Sequence, residues 1–186
     1  MQDGTTALGL PFGASLATAS PAPLWLHPRC VSLTSSHQGP FVKLRDQSIL
    51  CLDADATHVS ADGGMTWVSS TPLFAENQTL CLSSERALLT TAAGTVIAAF
   101  MDMSRQHWTW SDDLHDAPDA CLPTVVMRSL DNGRSWQDIQ TLHEDWTGAV
   151  RDMAQTSDGR IIFTTMKFLH GPGRHAVLTY SSSDDG

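Results

Sequence analysis

Among its 186 residues the chain holds a single tyrosine, and its basic residues are few: Lys and Arg total 11 against 20 Asp and Glu, a formal net charge of -9. No stretch gathers Lys and Arg into a stripe, which argues against nucleic acid as a partner, since phosphate contacts need such a surface. That balance leaves an anionic sugar open, because one or two local guanidinium forks hold a carboxylate whatever the overall field. The four cysteines, Cys30, Cys51, Cys81 and Cys121, lie far apart without a C-x-x-C pair, so no metal cluster is expected of them. Cys51 and Cys81 fall in apolar alternating runs and read as small core residues. The chain also lacks a G-x-S-x-G elbow, a phosphate-binding glycine loop and any zinc-ligand spacing, so neither a metal nor a cofactor is expected. No apolar run is long enough to span a bilayer. Residues 1–25 are rich in Gly, Ala, Ser, Thr and Pro but lack the basic start and compact apolar centre of a signal peptide. They read as a flexible lead-in to one domain over 26–186, and the compartment stays open. Asn77-Gln78-Thr79 is a glycosylation sequon with meaning only in a secretory route.

What the chain does have is one short phrase written twice and begun a third time. Ser60-Ala61-Asp62-Gly63-Gly64-Met65-Thr66-Trp67 recurs as Ser129-Leu130-Asp131-Asn132-Gly133-Arg134-Ser135-Trp136, and Ser182-Ser183-Asp184-Asp185-Gly186 opens it again. Each copy follows a strand-like run: Ala56 to Val59, Thr124 to Arg128 and Ala176 to Tyr180. The S-x-D-x-G core is turn chemistry. Asp hydrogen-bonds amides a residue or two on, and Gly takes a positive φ at little steric cost. The Trp closing the first two copies is a large apolar anchor. A structural role for Ser60, Asp62, Gly64, Trp67, Ser129, Asp131, Gly133, Trp136, Ser182, Asp184 and Gly186 is therefore the plain reading.

The runs before each copy repeat as well. Phe41 to Leu44 and Ser48 to Leu52 flank a polar turn at Arg45-Asp46-Gln47. Ala87 to Thr90 and Thr95 to Phe100 flank Ala92-Ala93-Gly94, and Asp152 to Thr156 and Arg160 to Met166 flank Ser157-Asp158-Gly159. Strand, tight turn, strand, variable loop, strand, corner, fourth strand is the order of a four-stranded antiparallel propeller blade. Unequal loops on an equal scaffold are what repeat folds show when one face carries function.

The repeated corner resembles the Asp-box, or BNR repeat, of the sialidase superfamily, and the resemblance runs from about Phe41 to Gly186. It implies an all-β propeller of six blades. This chain would supply about three from the N-terminal side, with the rest expected beyond Gly186. It further implies an exo-glycosidase acting on terminal sialic acid or a related sugar, hence a carbohydrate partner. A non-catalytic propeller binding glycans or a protein is the alternative, and a propeller using two carboxylates is a third. Residue by residue, the resemblance places a sugar-carboxylate arginine at the start of an inner strand. Arg86 and Arg151 stand at such points, although no Pro follows Arg86, and each also reads as a surface charge or local ion pair. It places the acid/base Asp in a loop of that same blade. Asp102, just past Phe100, fits best, within a loop that also holds Asp112, Asp113, Asp116 and Asp119. Trp108 and Trp110 in that loop form a sugar platform or pack it onto the scaffold. Arg174, beyond Gly171-Pro172-Gly173, reads as a substrate contact or a surface charge. Tyr180, on a strand entering a corner, does not match the family's nucleophile.

Overall fold

The computed structural model describes residues 25–33, 35–73 and 79–186. The lead-in through residue 24 and the sequon asparagine lie outside the described residues. The chain divides into two units, Met1–Ser32 and Leu33–Gly186. In the first, the described residues form a turn in which the Cys30 amide donates to the His27 carbonyl at 2.8 Å. All the strands described below belong to the second.

Those strands form three sheets. β1 (Phe41–Lys43), β2 (Ile49–Leu52), β3 (Ala56–Ser60) and β4 (Val68–Pro72) make the first. β5 (Leu82–Thr90), β6 (Val96–Asp102), β7 (Thr124–Ser129) and β8 (Gln137–His143) make the second. β9 (Val150–Gln155), β10 (Ile161–Leu169) and β11 (Arg174–Ser182) make the third. Within each sheet, strands adjacent in sequence pair antiparallel, in sequence order. The fold is an all-β propeller of antiparallel blades. Besides strands, the described residues contain one 3-10 turn, Met103–Arg105, and no helix long and apolar enough to cross a membrane.

The blades stack through β6, which is buried along its whole length. Successive side chains of a strand point to opposite faces. Val96, Ala98 and Phe100 meet Leu50, Leu52 and Leu73 of the first blade. Ile97, Ala99 and Met101 meet Val150, Met153, Ile161 and Phe163 of the third. Burying one large apolar side chain contributes about 1.5–3 kcal/mol, so these two layers hold the blades together. Trp136 packs into the first layer.

The repeated corners are wired alike. Ser60 donates to Asp62 Oδ1 at 2.8 Å and accepts from the Gly64 amide at 2.8 Å. Asp62 then accepts from the Met65 and Thr66 amides (3.0 and 2.8 Å) and the Thr66 hydroxyl (2.6 Å). Ser129, Asp131, Gly133 and Ser135 repeat the pattern at 2.8, 2.8, 2.8 and 2.6 Å. Ser182 donates to Asp184 at 2.5 Å and accepts from Gly186 at 3.1 Å. Two consecutive residues turn left-handed in every copy: Gly63 and Gly64, Asn132 and Gly133, Asp185 and Gly186. Gly, Asn and Asp tolerate that conformation best.

The second and third corners dock on the blade before them. Thr57 donates to the Gly133 carbonyl at 2.8 Å, and Arg128 donates to the Gly186 carbonyl at 3.2 Å. The corners follow β3, β7 and β11, so they lie at one end of the sheets. The loops after β2, β6 and β10, and the starts of β1, β5 and β9, lie at the other.

Candidate functional site

The loop end holds the residues singled out by sequence, in two groups. Arg86, on β5, has all three guanidinium nitrogens engaged by backbone. Nε donates to Leu52 O at 2.9 Å, Nη1 to Ser83 O at 2.8 Å and Nη2 to Gly39 O at 3.2 Å. Two of those carbonyls belong to the first blade, so Arg86 clamps the first blade to the second. Arg151, second residue of β9, pairs with Glu85 of β5 at 2.7 Å, rather than with its neighbour Asp152. Both partners are exposed, and such a pair contributes at most about 1 kcal/mol.

Asp102 ends β6 and is buried. Its Oδ1 accepts from the Cys81 amide (3.1 Å), the Ser104 amide (3.1 Å) and the Ser104 hydroxyl (2.7 Å). It caps the 3-10 turn, fixing the direction in which the long loop leaves the sheet.

That loop carries Trp108 and Trp110. Their rings lie nearly parallel, 15° apart with centroids at 6.4 Å. Trp108 rests on Trp146 (4.6 Å) and Phe168 (5.0 Å), while Phe168 is buried against Ala117 and Ala120. The two residues nevertheless remain 38% and 44% exposed, so each ring keeps surface open to solvent. The Trp110 indole N–H donates to Asp112 at 3.1 Å.

The platform is stapled to the β10–β11 hairpin. Asp116, buried, accepts from the Gly171 amide (2.9 Å) and the Ala117 amide (2.7 Å), with His170 Nδ1 at 3.0 Å. Burial pushes its carboxyl up, but those three partners outweigh it and hold the pKa below the ordinary value. The Gly173 amide donates to His115 O at 2.8 Å. A Cβ on Gly173 would lie 2.5 Å from Phe168 and 3.1 Å from Trp110, so only glycine allows this approach. Arg174 follows, exposed and opposite Leu169 in the hairpin.

The structure thus brings Trp108 and Trp110 together beside the hairpin that carries Arg174, with Asp102 at the root of the loop. Arg86 and Arg151 lie apart, among the inner strands. Asp116, His170, Trp146 and Phe168 build the platform; the sequence named Asp116 only as one carboxylate of the acidic loop and gave none of the four this role. The Gly-Pro-Gly stretch was the one local hint of a close approach there. A cavity of about 440 Å3 opens elsewhere, against the third corner, lined by Ile97, Val126, Phe163 and Tyr180 among others. One set of metal-capable side chains comes together among the described residues: His37, Asp53 and His58, on the first blade.

A face of supported, half-open aromatic rings next to a few polar groups is suited to a ring-shaped polar ligand with an apolar underside.

No family model and no curated protein matches the chain. Solved structures do. A Dyadobacter fermentans protein of unknown function matches with 19% identity and a TM-score of 0.52, over 78% of this chain and 50% of its own. An α-L-arabinofuranosidase from Fusarium graminearum, in complex with an iminosugar inhibitor, matches with 14% identity and a TM-score of 0.54, over 78% and 44%. An α-L-arabinanase from Penicillium chrysogenum, complexed with arabinobiose, matches with 15% identity and a TM-score of 0.51, over 78% and 45%. At these identities the likeness is one of fold: the propeller of glycosidase structures. The chain spans about half the length of the structures it matches.

Proposed function

We propose that this chain is part of a carbohydrate-active propeller, an exo-acting glycoside hydrolase that takes its sugar on the Trp108–Trp110 face. The observation that carries the reading is the pair of near-parallel indoles, 38% and 44% exposed, of which Trp108 packs on Trp146 and Phe168. The propeller likeness to enzymes solved with arabinobiose or an iminosugar supports it.

Between a sialic acid and a neutral sugar, the neutral one is favoured. A sugar carboxylate asks for a guanidinium fork, whereas Arg86 spends its three nitrogens on carbonyls and Arg151 faces Glu85. For Asp102, expected from the resemblance as acid/base, the three hydrogen bonds accepted by Oδ1 favour a role in positioning the loop. A non-catalytic glycan-binding propeller remains the second reading, favoured by a platform that needs no reacting group nearby.

The test is calorimetric titration of the full chain with arabinobiose and, separately, with sialyllactose, alongside release of 4-nitrophenol from its α-L-arabinofuranoside. Arabinobiose should bind. Trp110→Ala should weaken binding about tenfold or more, because stacking a ring on an indole contributes roughly 1–3 kcal/mol. Binding without hydrolysis moves the chain to the second reading. No sugar binding, or binding indifferent to Trp110, removes both.

A further inference from the structure

Away from the tryptophan face, three metal-capable side chains meet on the first blade. His37 lies in the segment before β1, Asp53 in the turn after β2, and His58 on β3. Asp53 Oδ2 stands 2.7 Å from His37 Nδ1 and 3.2 Å from His58 Nε2. The two imidazoles lie with centroids 4.1 Å apart. All three donor atoms fall within 4.8 Å of one another. The side chains are 17%, 26% and 15% exposed, sheltered but within reach of solvent.

The blade's own pairing sets this arrangement. Leu50 and Leu52 face the second blade, so Cys51 between them faces the other way. His58 is the cross-strand partner of Cys51, and Phe41 pairs with Cys51 from the other side. His58 therefore stands on the flank turned away from the second blade, where the segment holding His37 crosses. Trp67 closes one side, edge-on to His37 at 5.0 Å and near Phe41 at 5.7 Å. The Cys51 thiol donates to the other Asp53 oxygen at 3.6 Å and orients the carboxylate. That is the support a metal-binding carboxylate ordinarily has.

We propose that His37, Asp53 and His58 form a binding site for a divalent transition metal of the zinc class. Two imidazole nitrogens and one carboxylate oxygen are the donor set that zinc takes, with a fourth position left for water. Zinc holds N and O ligands at about 2.0–2.2 Å, so neighbouring donors around a tetrahedral ion sit roughly 3.3 Å apart. The His58–Asp53 separation already matches, and the His37–Asp53 separation must open by about 0.6 Å, within the reach of one side-chain torsion in a segment outside the sheet. A ring nitrogen that donates its N–H to the Asp53 carboxylate cannot at the same time bind an ion. Metal entry needs the lone pairs of those nitrogens, so each neutral ring carries its proton on its other nitrogen when the ion is bound. A bound ion would fasten the segment before β1 to the β2–β3 turn. The spacing of these residues in sequence matches no zinc signature, which is why sequence reading expected no metal.

The experiment uses the full chain after dialysis against a chelator, with Zn2+ alone as probe in calorimetry and thermal melts, and Co2+ as a spectroscopic stand-in. One equivalent of Zn2+ should bind at micromolar or tighter affinity. At a hundredfold excess over the dissociation constant the melting temperature should rise by roughly 5–10 °C. Co2+ should give the ligand-field bands of a tetrahedral site. Asp53→Asn and His58→Gln should each weaken binding by more than about tenfold, while His27→Gln, on an exposed turn, should not. His37→Gln provides the same readout from a residue outside any strand, should a variant on the sheet fail to fold. Absence of saturable binding up to millimolar Zn2+, or binding untouched by Asp53→Asn and His37→Gln, overturns the proposal.

Discussion

Replacing Gly133 by alanine tests whether the repeated corner docks one blade onto the next. Gly133 has φ +82°, where an L-residue costs about 1–2 kcal/mol. Its Cβ would also lie 2.7 and 2.9 Å from the two methyl carbons of Leu50, which has no exposed surface. Overpacking of that kind costs about 1–3 kcal/mol. The corner has little freedom to retreat, because the Gly133 amide is held by Ser129 and its carbonyl by Thr57. The sum is roughly 2–5 kcal/mol of destabilisation. Gly63→Ala is the control. It has φ +77° and nothing within 4 Å of the added carbon, so it carries the backbone cost alone. The entropy that alanine removes from the unfolded chain is the same in both and cancels in their difference. Urea and thermal melts should therefore place Gly133→Ala below Gly63→Ala by about 1–3 kcal/mol, or roughly 2–12 °C in a chain of this size. Adding Leu50→Ala should recover part of the gap, as touching residues couple non-additively. Equal melting of the two glycine variants would refute the docking argument, since it would mean the corner moves away from Leu50 without resistance.

Two other perturbations separate structural from ligand roles. The Thr66 hydroxyl, the Thr66 amide and the Ser60 hydroxyl hold Asp62 at a pKa of about 2, against an ordinary 3.8. Asp131 and Asp184 are lowered as well. A folded pKa below the unfolded one gives stability that is complete above the ordinary value and lost as pH falls through the folded value. Melting temperature should hold above about pH 5 and decline between about pH 4 and pH 2. Asp62→Asn should flatten that decline, and an unchanged slope would count against the wiring. Arg86→Met strips donors from three carbonyls and should cost about 2–4 kcal/mol by urea melts. Arg86→Lys should recover little, because a point charge cannot span three carbonyls. Weakened sugar binding with unchanged melting would instead make Arg86 a substrate ligand.

The blades were legible because each strand and corner is a local event. The apolar runs at Ile49 to Leu52 and Val96 to Met101 state their own strand character, and Ser, Asp and Gly at fixed offsets state the turn. Limits of the elements were less so. β5 starts at Leu82, five residues before the apolar run that announced it, through a register shift between Leu82 and Arg86. The β10–β11 hairpin runs out to Leu169 and Arg174, beyond the strand expected to end at Met166. Even the two corner tryptophans, identical in the repeat, diverge. Trp136 packs between blades, while Trp67 turns its N–H to the Gly64 carbonyl and faces His37.

The sites were not legible for a related reason. Asp116 meets His170 from 54 positions away, and Arg86 meets Gly39 from 47. Periodicity reports which face a residue takes, not which distant residue shares it. Arg86 illustrates the consequence. Its position at an inner strand is compatible with holding a sugar carboxylate, and only the placement of Leu52 O, Ser83 O and Gly39 O decides that the fork is filled by backbone. His37 and His58 invert the case. His58 meets Asp53 across the short β2–β3 turn, and His37 reaches the same carboxylate oxygen from 16 positions away. In a propeller the strand order is written in each repeat. The chemistry belongs to the loops, whose partners are chosen by the stacking of blades, so the residues most worth mutating are those whose nearest partners lie far along the chain.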